Sequence, residues 1–245
     1  MDKMRISRLV PIAAATLISA CNSSSPPKAP AGTLISMAPM AWQIRYSPGM
    51  PLQPTAYTGG GWQFDFPTNT ETPSPCPAAA TQPPDFNVSP CHHVDYVTIP
   101  YTAPITAKSL TVTFDIVAQS PVYDYRTAAN NTCTTPASVR LLLEHSGDAA
   151  LTNPVYRWWS TTDHQLQTAG TSLSLTIPLT ADQWTDVDGQ AGTANTAAFA
   201  DTLANIGNIG MTFGGGCFYG HGLYLDSGNA AFIVRTFTLN YTSNY

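Results

Sequence analysis

Hydrophobic and polar residues alternate along much of the chain, in short segments separated by turn residues. Trp62, Phe64 and Phe66 are separated by single polar residues, which is the period of a strand with one buried face. Seven later segments show the same alternation or a short apolar run: 93–99, 110–116, 139–143, 155–160, 173–179, 209–213 and 233–241. Because loops rather than regular crossover helices connect these segments, the sequence predicts an all-β fold, a sandwich of two antiparallel sheets.

Two short helices are predicted among the strands. Thr180 and Gln183 have the spacing of a capping box, which indicates a single helical turn through residue 184. Residues 196–206 place Phe199 and Leu203 on one helical face, and a glycine follows as a C-terminal stop. We expect the second helix to pack over one end of the sandwich.

The first twenty residues have the pattern of a segment that is removed after export. Lys3, Arg5 and Arg8 precede the apolar run 9–18, which is too short to remain across a bilayer, and small residues follow it. The sequence therefore predicts a signal peptide over residues 1–20 and a protein that leaves the cytoplasm.

Cys21 follows the predicted cleavage position. Its context, Ile18-Ser19-Ala20-Cys21, resembles the lipobox of bacterial lipoproteins, in which this cysteine carries the acyl chains that anchor the protein. Asn22 at the next position resembles lipoproteins that are passed to the outer membrane. An ordinary secretory signal, with Cys21 incidental, is the alternative.

Composition supports one exported domain on a tether. Residues 21–40 are rich in Ser, Pro and Ala and lack periodicity, so we expect an acylated cysteine and a flexible tether there, followed by a single β-sandwich domain over 41–245. Only 10% of residues are charged. Removal of the leader leaves seven basic and fourteen acidic residues, a net charge of −7. This balance disfavours nucleic acid and anionic membrane surfaces as partners, so membrane contact is expected through the lipid anchor alone.

Four cysteines remain beyond Cys21, an even number that suggests two disulfides in an exported chain. The pairs Cys76–Cys91 and Cys133–Cys217 are preferred because the first closes a proline-rich loop and the second ties two distant loops. Sequence leaves all three connectivities open. Zinc is the competing explanation, but no CxxC pair is present.

The glycine-rich segment 207–222 is the first place where a ligand could bind. Apolar strand residues lead into a loop whose glycines remove Cβ bulk and leave Phe218, Tyr219 and His221 free to point outward. Phosphate binding is not indicated, since the loop lacks the Lys-Ser/Thr of a P-loop. The alternative is a tight connection whose rings close the core.

A second aromatic group lies in the predicted strand 155–160. Alternation places Tyr156 and Trp158 on one face and Arg157 and Trp159 on the other, so one pair faces the core and the other faces outward. Aromatic rings on a sheet face suit the apolar C–H faces of sugars, with hydroxyl groups left for polar neighbours. The alternative is that both tryptophans are structural.

Signs of catalysis and of metal binding are weak. Glycoside hydrolysis needs paired carboxyl groups, and nothing in the spacing of Asp115, Asp124 and Asp226 brings two of them together. His93 and Asp95 share a strand face but are assigned a surface role. A structural calcium ion would suit such a sandwich, although no EF-type loop locates one.

The segment from residue 93 to 241 resembles galactose-binding-like jelly-roll modules, and in particular bacterial carbohydrate-binding modules. The motifs that carry the resemblance are SLTVTFDI, YRWWS, IPLTADQW, the glycine-rich loop and the closing strand AAFIVRTFTL. In that family the site lies on the concave sheet face or in the loops at one end. The resemblance implies that Tyr156, Trp158 and Arg140 would serve the first location, and Tyr219 and His221 the second.

The sequence thus predicts a non-catalytic glycan-binding lipoprotein of the bacterial outer membrane, periplasmic or surface-exposed. A structural or protein-interaction role at the cell surface is the first alternative. A hydrolase acting on polysaccharide is the second.

Overall fold

The computed structural model describes residues 32–47, 53–68, 93–125, 135–148, 152–216 and 219–241, and antiparallel strands account for more than half of these residues. The strands are Gly32–Leu34 (β1), Gln43–Ser47 (β2), Thr55–Ala56 (β3), Trp62–Asp65 (β4), His93–Pro100 (β5), Ser109–Tyr125 (β6), Ser138–His145 (β7), Arg157–Ser160 (β8), His164–Gln165 (β9), Gly170–Pro178 (β10), Trp184–Asp186 (β11), Ile206–Gly214 (β12) and Leu223–Asn240 (β13). The predicted all-β fold class is confirmed.

Helical structure is short, as expected. The α-helix found among the described residues, Thr196–Ala204 (α1), buries Phe199 and Thr202, and its predicted position is confirmed. A 3-10 turn at Ala181–Gln183 matches the single turn expected there. Further 3-10 turns occur at Pro39–Ala41 and Pro154–Tyr156.

The strands are arranged in two layers. The first sheet contains β10, β6 and β13 in that order, with β4 and β1 paired along the other edge of β13 and β3 paired with β4. The second sheet has the order β2, β5, β12, β7, β8, β11, and β9 pairs with the start of β7. Among the described strands, the two sheets are linked where Leu223 of β13 pairs with Val94 of β5. The strands are therefore connected by hydrogen bonds throughout, but they form two sheets that are joined at a corner.

The core lies between these layers. Phe213 of β12 contacts Phe232 of β13 and Phe64 of β4, with ring centroids 5.4 Å and 5.7 Å apart. The ring centroids of Trp42 and Trp62, both fully buried, are 4.8 Å apart. Because β12, which carries Phe213, pairs with neither β13 nor β4, the contacts of Phe213 are those of two sheets packed face to face, as in a β-sandwich.

The second sheet is also covered on its outer face. In β7, Val139, Leu141 and Leu143 enter the core, and the intervening residues Arg140 and Leu142 are buried on the other side. Every residue of 138–144 is buried. The outer face of this sheet is therefore a second buried layer, and it bears the candidate site.

The predicted tether ends earlier than expected. Gly32–Leu34 forms β1 against Thr238–Asn240, the Ile35 amide donates to the Phe237 carbonyl, and the indole of Trp42 donates to the Ser36 carbonyl. Residues 32–40 thus belong to the folded domain. The expected strand 155–160 also begins later, at Arg157, because Pro154 opens a 3-10 turn that is capped by the Asn153 side chain.

Several expectations fall outside the described residues. These are the signal peptide, Cys21, the cysteines of both preferred disulfides, and Phe218. Within the described ranges, no helix combines the length and the apolar character that crossing a bilayer requires.

Candidate functional site

A cavity of about 300 Å³ lies on the outer face of the second sheet, beside β8 and β11. Three ring side chains line it together with polar and small residues. The lining residues are Trp159, Thr185, Val187, Asp188, Gly189, Tyr219 and His221. Three segments that are distant in sequence therefore form this cavity: strand β8, the turn after β11 and the glycine-rich loop.

Strand alternation places Trp159 in the cavity. Trp158 points into the core, where its ring packs edge-to-face on Phe199 and its indole N–H donates to Thr202 Oγ1 at 3.1 Å. Trp159, the next residue, faces the other way and packs with Tyr96 and Leu142. The Trp159 ring is only 3% exposed. Trp159 therefore forms the floor of the cavity, and the half-buried rings of Tyr219 and His221 supply the accessible aromatic surface.

The glycine-rich loop crosses this outer face at two close approaches. Gly220 has a φ of +75°, and a Cβ there would stand 2.6 Å from the Trp159 ring and 2.8 Å from the Tyr96 hydroxyl. Gly222 has a φ of +89° and lies against His93 and Asp95, while its amide donates to the Phe213 carbonyl at 3.1 Å. Both positions need glycine for backbone conformation and for space. The two glycines thus hold the loop against Trp159 and set the position of Tyr219.

Arg140 supports Tyr219 from the sheet. The guanidinium carbon lies over the Tyr219 ring, 3.7 Å from its centroid. The guanidinium also donates to the carbonyl oxygens of Ser160, at 2.6 Å, and of Thr161, and it pairs with Asp163 at 3.3 Å. Burial lowers the pKa of Arg140, and Tyr219 and Asp163 oppose that shift. Arg140 therefore supports one face of the Tyr219 ring, which also packs against the buried cluster of Tyr96, Leu142 and Trp159.

The turn after β11 is organised by Asp186. Its Oδ1 accepts from the Asp188 amide at 3.1 Å and the Gln190 amide at 2.8 Å, and its Oδ2 accepts from the Asn195 side chain at 3.3 Å. Gly189 follows with a φ of +75° and open space around it. An aspartate that bonds the amides following it stabilises such a turn. Asp186 thus presents Asp188 and Gly189 at the cavity wall.

Charged groups behind the cavity are paired. Arg157 contacts Asp148 at 2.8 Å and donates to the Tyr96 hydroxyl at 3.3 Å. Burial raises the pKa of Tyr96 to about 12, against the lowering effect of Arg157. Burial likewise raises the pKa of Asp95, although His93, 3.1 Å away, favours its charged form. His93 and Asp95 are buried, so the surface role expected for them is wrong.

The structure divides the predicted site residues. Tyr219 and His221 line the cavity and Arg140 lies directly behind it. Trp158 is fully buried in the core, so its ring cannot contact a ligand at the surface. Tyr156 lies outside the cavity and stacks on His145, with ring centroids 4.1 Å apart. The outward-facing ring of the tryptophan pair is thus Trp159.

Sequence reasoning missed four residues of the cavity: Thr185 in β11, and Val187, Asp188 and Gly189 in the turn after it. The signal available was the run Asp186-Val187-Asp188-Gly189, in which an aspartate and a glycine mark a turn. Its position beside Trp159 follows from the pairing of β11 with β8, where Thr185 lies opposite Trp159.

Other features of the described residues do not form a comparable site. No group of three or more His, Cys, Asp or Glu side chains that could hold a metal ion occurs in the described part of the chain. A second cavity of about 390 Å³ lies at the first sheet and includes Phe66, Val117, Asn229 and Ala231 in its wall. It contains one aromatic ring where the cavity at Trp159 contains three ring side chains.

No protein-family model and no curated protein matches the chain. Among solved structures, one similar chain is described as the xylan-binding module CBM15, with a TM-score of 0.44, 12% identity, and coverage of 88% of this chain and 99% of that chain. Another is a mutant of Xylanase10C from Cellvibrio japonicus in complex with xylopentaose, with a TM-score of 0.37, 12% identity, and coverage of 87% of this chain and 29% of that chain.

Proposed function

We propose that the chain binds glycans in the cavity at Trp159 and Tyr219, without cleaving them. The observation that carries this proposal is the half-buried Tyr219 ring, held from behind by Arg140 at the edge of a cavity whose floor is an indole. Sugar rings present apolar C–H faces that pack on such rings. A fixed ring binds at a lower entropic cost than a mobile one.

Polar groups around the rings support the same proposal. Thr185, Asp188 and His221 line the cavity. The Asp188 carboxylate can accept hydrogen bonds from sugar hydroxyls, and the Thr185 and His221 side chains can donate to them or accept from them. The volume of about 300 Å³ lies at the lower end of the usual range for small-molecule sites, roughly 300–1,000 Å³. A site of this size suits a short stretch of a glycan rather than a long chain.

The two aspartates near the cavity, Asp186 and Asp188, favour binding over hydrolysis. Glycosidases place two carboxyl groups on either side of the scissile bond. Of the two aspartates of the β11 turn, Asp186 is buried and accepts three hydrogen bonds, whereas Asp188 is exposed. The turn therefore offers one available carboxylate at the cavity.

The proposed setting is the bacterial cell envelope. The pattern of residues 1–20 and the lipobox-like context of Cys21 support export and acylation, and Asn22 supports delivery to the outer membrane. In cells, Cys21→Ser should move the protein from the membrane fraction to the soluble exported fraction. Retention of this variant in the membrane fraction would contradict the anchor.

A glycan array with the purified protein tests binding, and two tyrosine variants test the site. Tyr57 is a matched control for Tyr219, because it too is half-buried and lies beneath an arginine, with Arg235 4.4 Å from its ring centroid, but it lies at the first sheet. Tyr219→Ala should weaken binding of the strongest array glycan at least tenfold, whereas Tyr57→Ala should change it less than twofold.

Three outcomes would contradict the proposal. Equal binding by Tyr219→Ala and the unchanged protein would remove the assigned site. Absence of binding across the array would remove the function. Release of reducing ends from the bound glycan would favour the hydrolase alternative.

A further inference from the structure

Among the described residues that line the cavity, Asp188 is the one acidic residue, and none is a lysine or an arginine. Asp188 lines the wall and is exposed, and no ion pair involves its carboxylate among the described residues. The Asp188 amide donates a hydrogen bond to Asp186 Oδ1, which fixes the backbone of Asp188 at the wall. The chain as a whole carries a net charge of −5.

Two arginines beside the cavity, Arg140 and Arg157, make other contacts. Arg140 lies beneath Tyr219, is 6% exposed and donates to two carbonyl oxygens. Arg157 is buried and pairs with Asp148 at 2.8 Å. A carboxylate needs an accessible cation or several N–H donors when it leaves water, and neither arginine lines the cavity.

We infer that the cavity selects uncharged glycans, and that Asp188 is the residue that discriminates against uronic acids and other carboxylated sugars. This inference rests on the proposed glycan binding and adds its specificity. An uncharged sugar can donate hydroxyl hydrogen bonds to the Asp188 carboxylate, which strengthens binding. A carboxylated sugar at the same position places two negative charges close together at a partly desolvated surface, which opposes binding.

The test compares two derivatives of one glycan. The glycan that gives the strongest array signal is converted to a hydroxyethyl and a carboxymethyl derivative with equal degrees of substitution, which match in size and differ in charge. Affinities are measured at pH 8, in low salt and in 1 M NaCl. The protein should bind the hydroxyethyl derivative about tenfold more tightly than the carboxymethyl one at low salt, and the ratio should fall at high salt because exposed charges are then screened.

Two variants assign the discrimination to one carboxylate. Asp188→Asn keeps a hydrogen-bond acceptor and removes the charge, so the ratio should fall below about threefold. Asp182→Asn removes an exposed carboxylate from the neighbouring 3-10 turn, which does not line the cavity, and should leave the ratio unchanged.

The outcomes separate this inference from the proposed function. Three results would overturn the inference alone, because glycan binding itself would stand. These are equal or tighter binding of the carboxymethyl derivative, a ratio that Asp188→Asn leaves unchanged, and a carboxylated glycan as the strongest array signal. Absence of binding to every array glycan would overturn both.

Discussion

The guanidinium of Arg140 lies over the ring of Tyr219, with 3.7 Å between the guanidinium carbon and the ring centroid. This contact joins a buried strand of the second sheet to the glycine-rich loop, two segments that are far apart in sequence. A buried arginine with two carbonyl acceptors has little freedom to move, so Arg140 holds the Tyr219 ring of the loop in place.

Arg140→Lys should therefore destabilise the protein and weaken glycan binding together. Lysine keeps the charge but loses the planar group that reaches both carbonyl oxygens and the ring, at an expected cost of about 2–3 kcal/mol in the free energy of unfolding. Urea denaturation measures this change. Asp163→Asn removes only the 3.3 Å ion pair and should cost less than about 1 kcal/mol. Equal stability of the two variants would contradict the supporting role of Arg140.

Gly220→Ala should displace the loop from Trp159. The substitution combines a positive φ with a Cβ that would stand 2.6 Å from the indole, so we expect a loss of about 2–4 kcal/mol in stability together with weaker glycan binding. Gly60→Ala is the control, because Gly60 has a φ of +90° but open space around it. It should cost only the conformational part, about 1–2 kcal/mol. Similar losses for both variants would show that contact with Trp159 is unimportant.

Trp158→Ala should lower the free energy of unfolding without removing a side chain from the cavity. Its ring is fully buried against Phe199, and truncation of such a side chain typically costs about 3–5 kcal/mol. Thr202→Val removes the hydroxyl that accepts from the Trp158 indole and should cost about 1–2 kcal/mol. If Trp158→Ala kept the melting temperature and lost glycan binding, the core position of Trp158 would be wrong.

The position of Trp158 shows where alternation stops being informative. In β8 all four residues are buried, so both faces of the strand carry apolar side chains and the period of two cannot tell the inner face from the outer one. The strands whose outer residues are polar, such as Leu110–Ile116 in β6, could be predicted because only one of their faces is apolar.

Long-range pairing accounts for the other differences. Residues 32–34 form a strand because the edge of β13 pairs with them, and their own composition gives no sign of it. The β11 turn lies at the cavity because Thr185 lies opposite Trp159, a relationship between segments that no local pattern contains. Tyr219 and His221 were predictable as residues of the cavity because a glycine-rich loop with rings is a local feature.

His164 should make stability depend on pH. Burial lowers the pKa of His164, whose ring packs edge-to-face on Phe114, while Asp163 acts in the opposite direction. The imidazole of His164 therefore binds a proton more readily in the unfolded chain than in the folded protein. The stability that His164 contributes is complete above about pH 6.5 and is lost as the pH falls through the lower folded value.

Urea midpoints measured between pH 8 and pH 5 check this expectation. His164→Gln should show a smaller decrease on acidification than the unchanged protein, since the remaining histidines are common to both. Parallel curves for the two proteins would exclude a contribution from His164.

The most direct test of the central claim is a nuclear magnetic resonance titration of the ¹⁵N-labelled protein with the strongest array glycan. The amides of residues 185–189 and 219–222, and the indole N–H of Trp159, should shift most, while those around Tyr57 and Arg235 should not. Shifts that cluster at the first sheet, including the cavity at Val117 and Ala231, and that leave the Trp159 indole unchanged would contradict the claim that this cavity binds glycans.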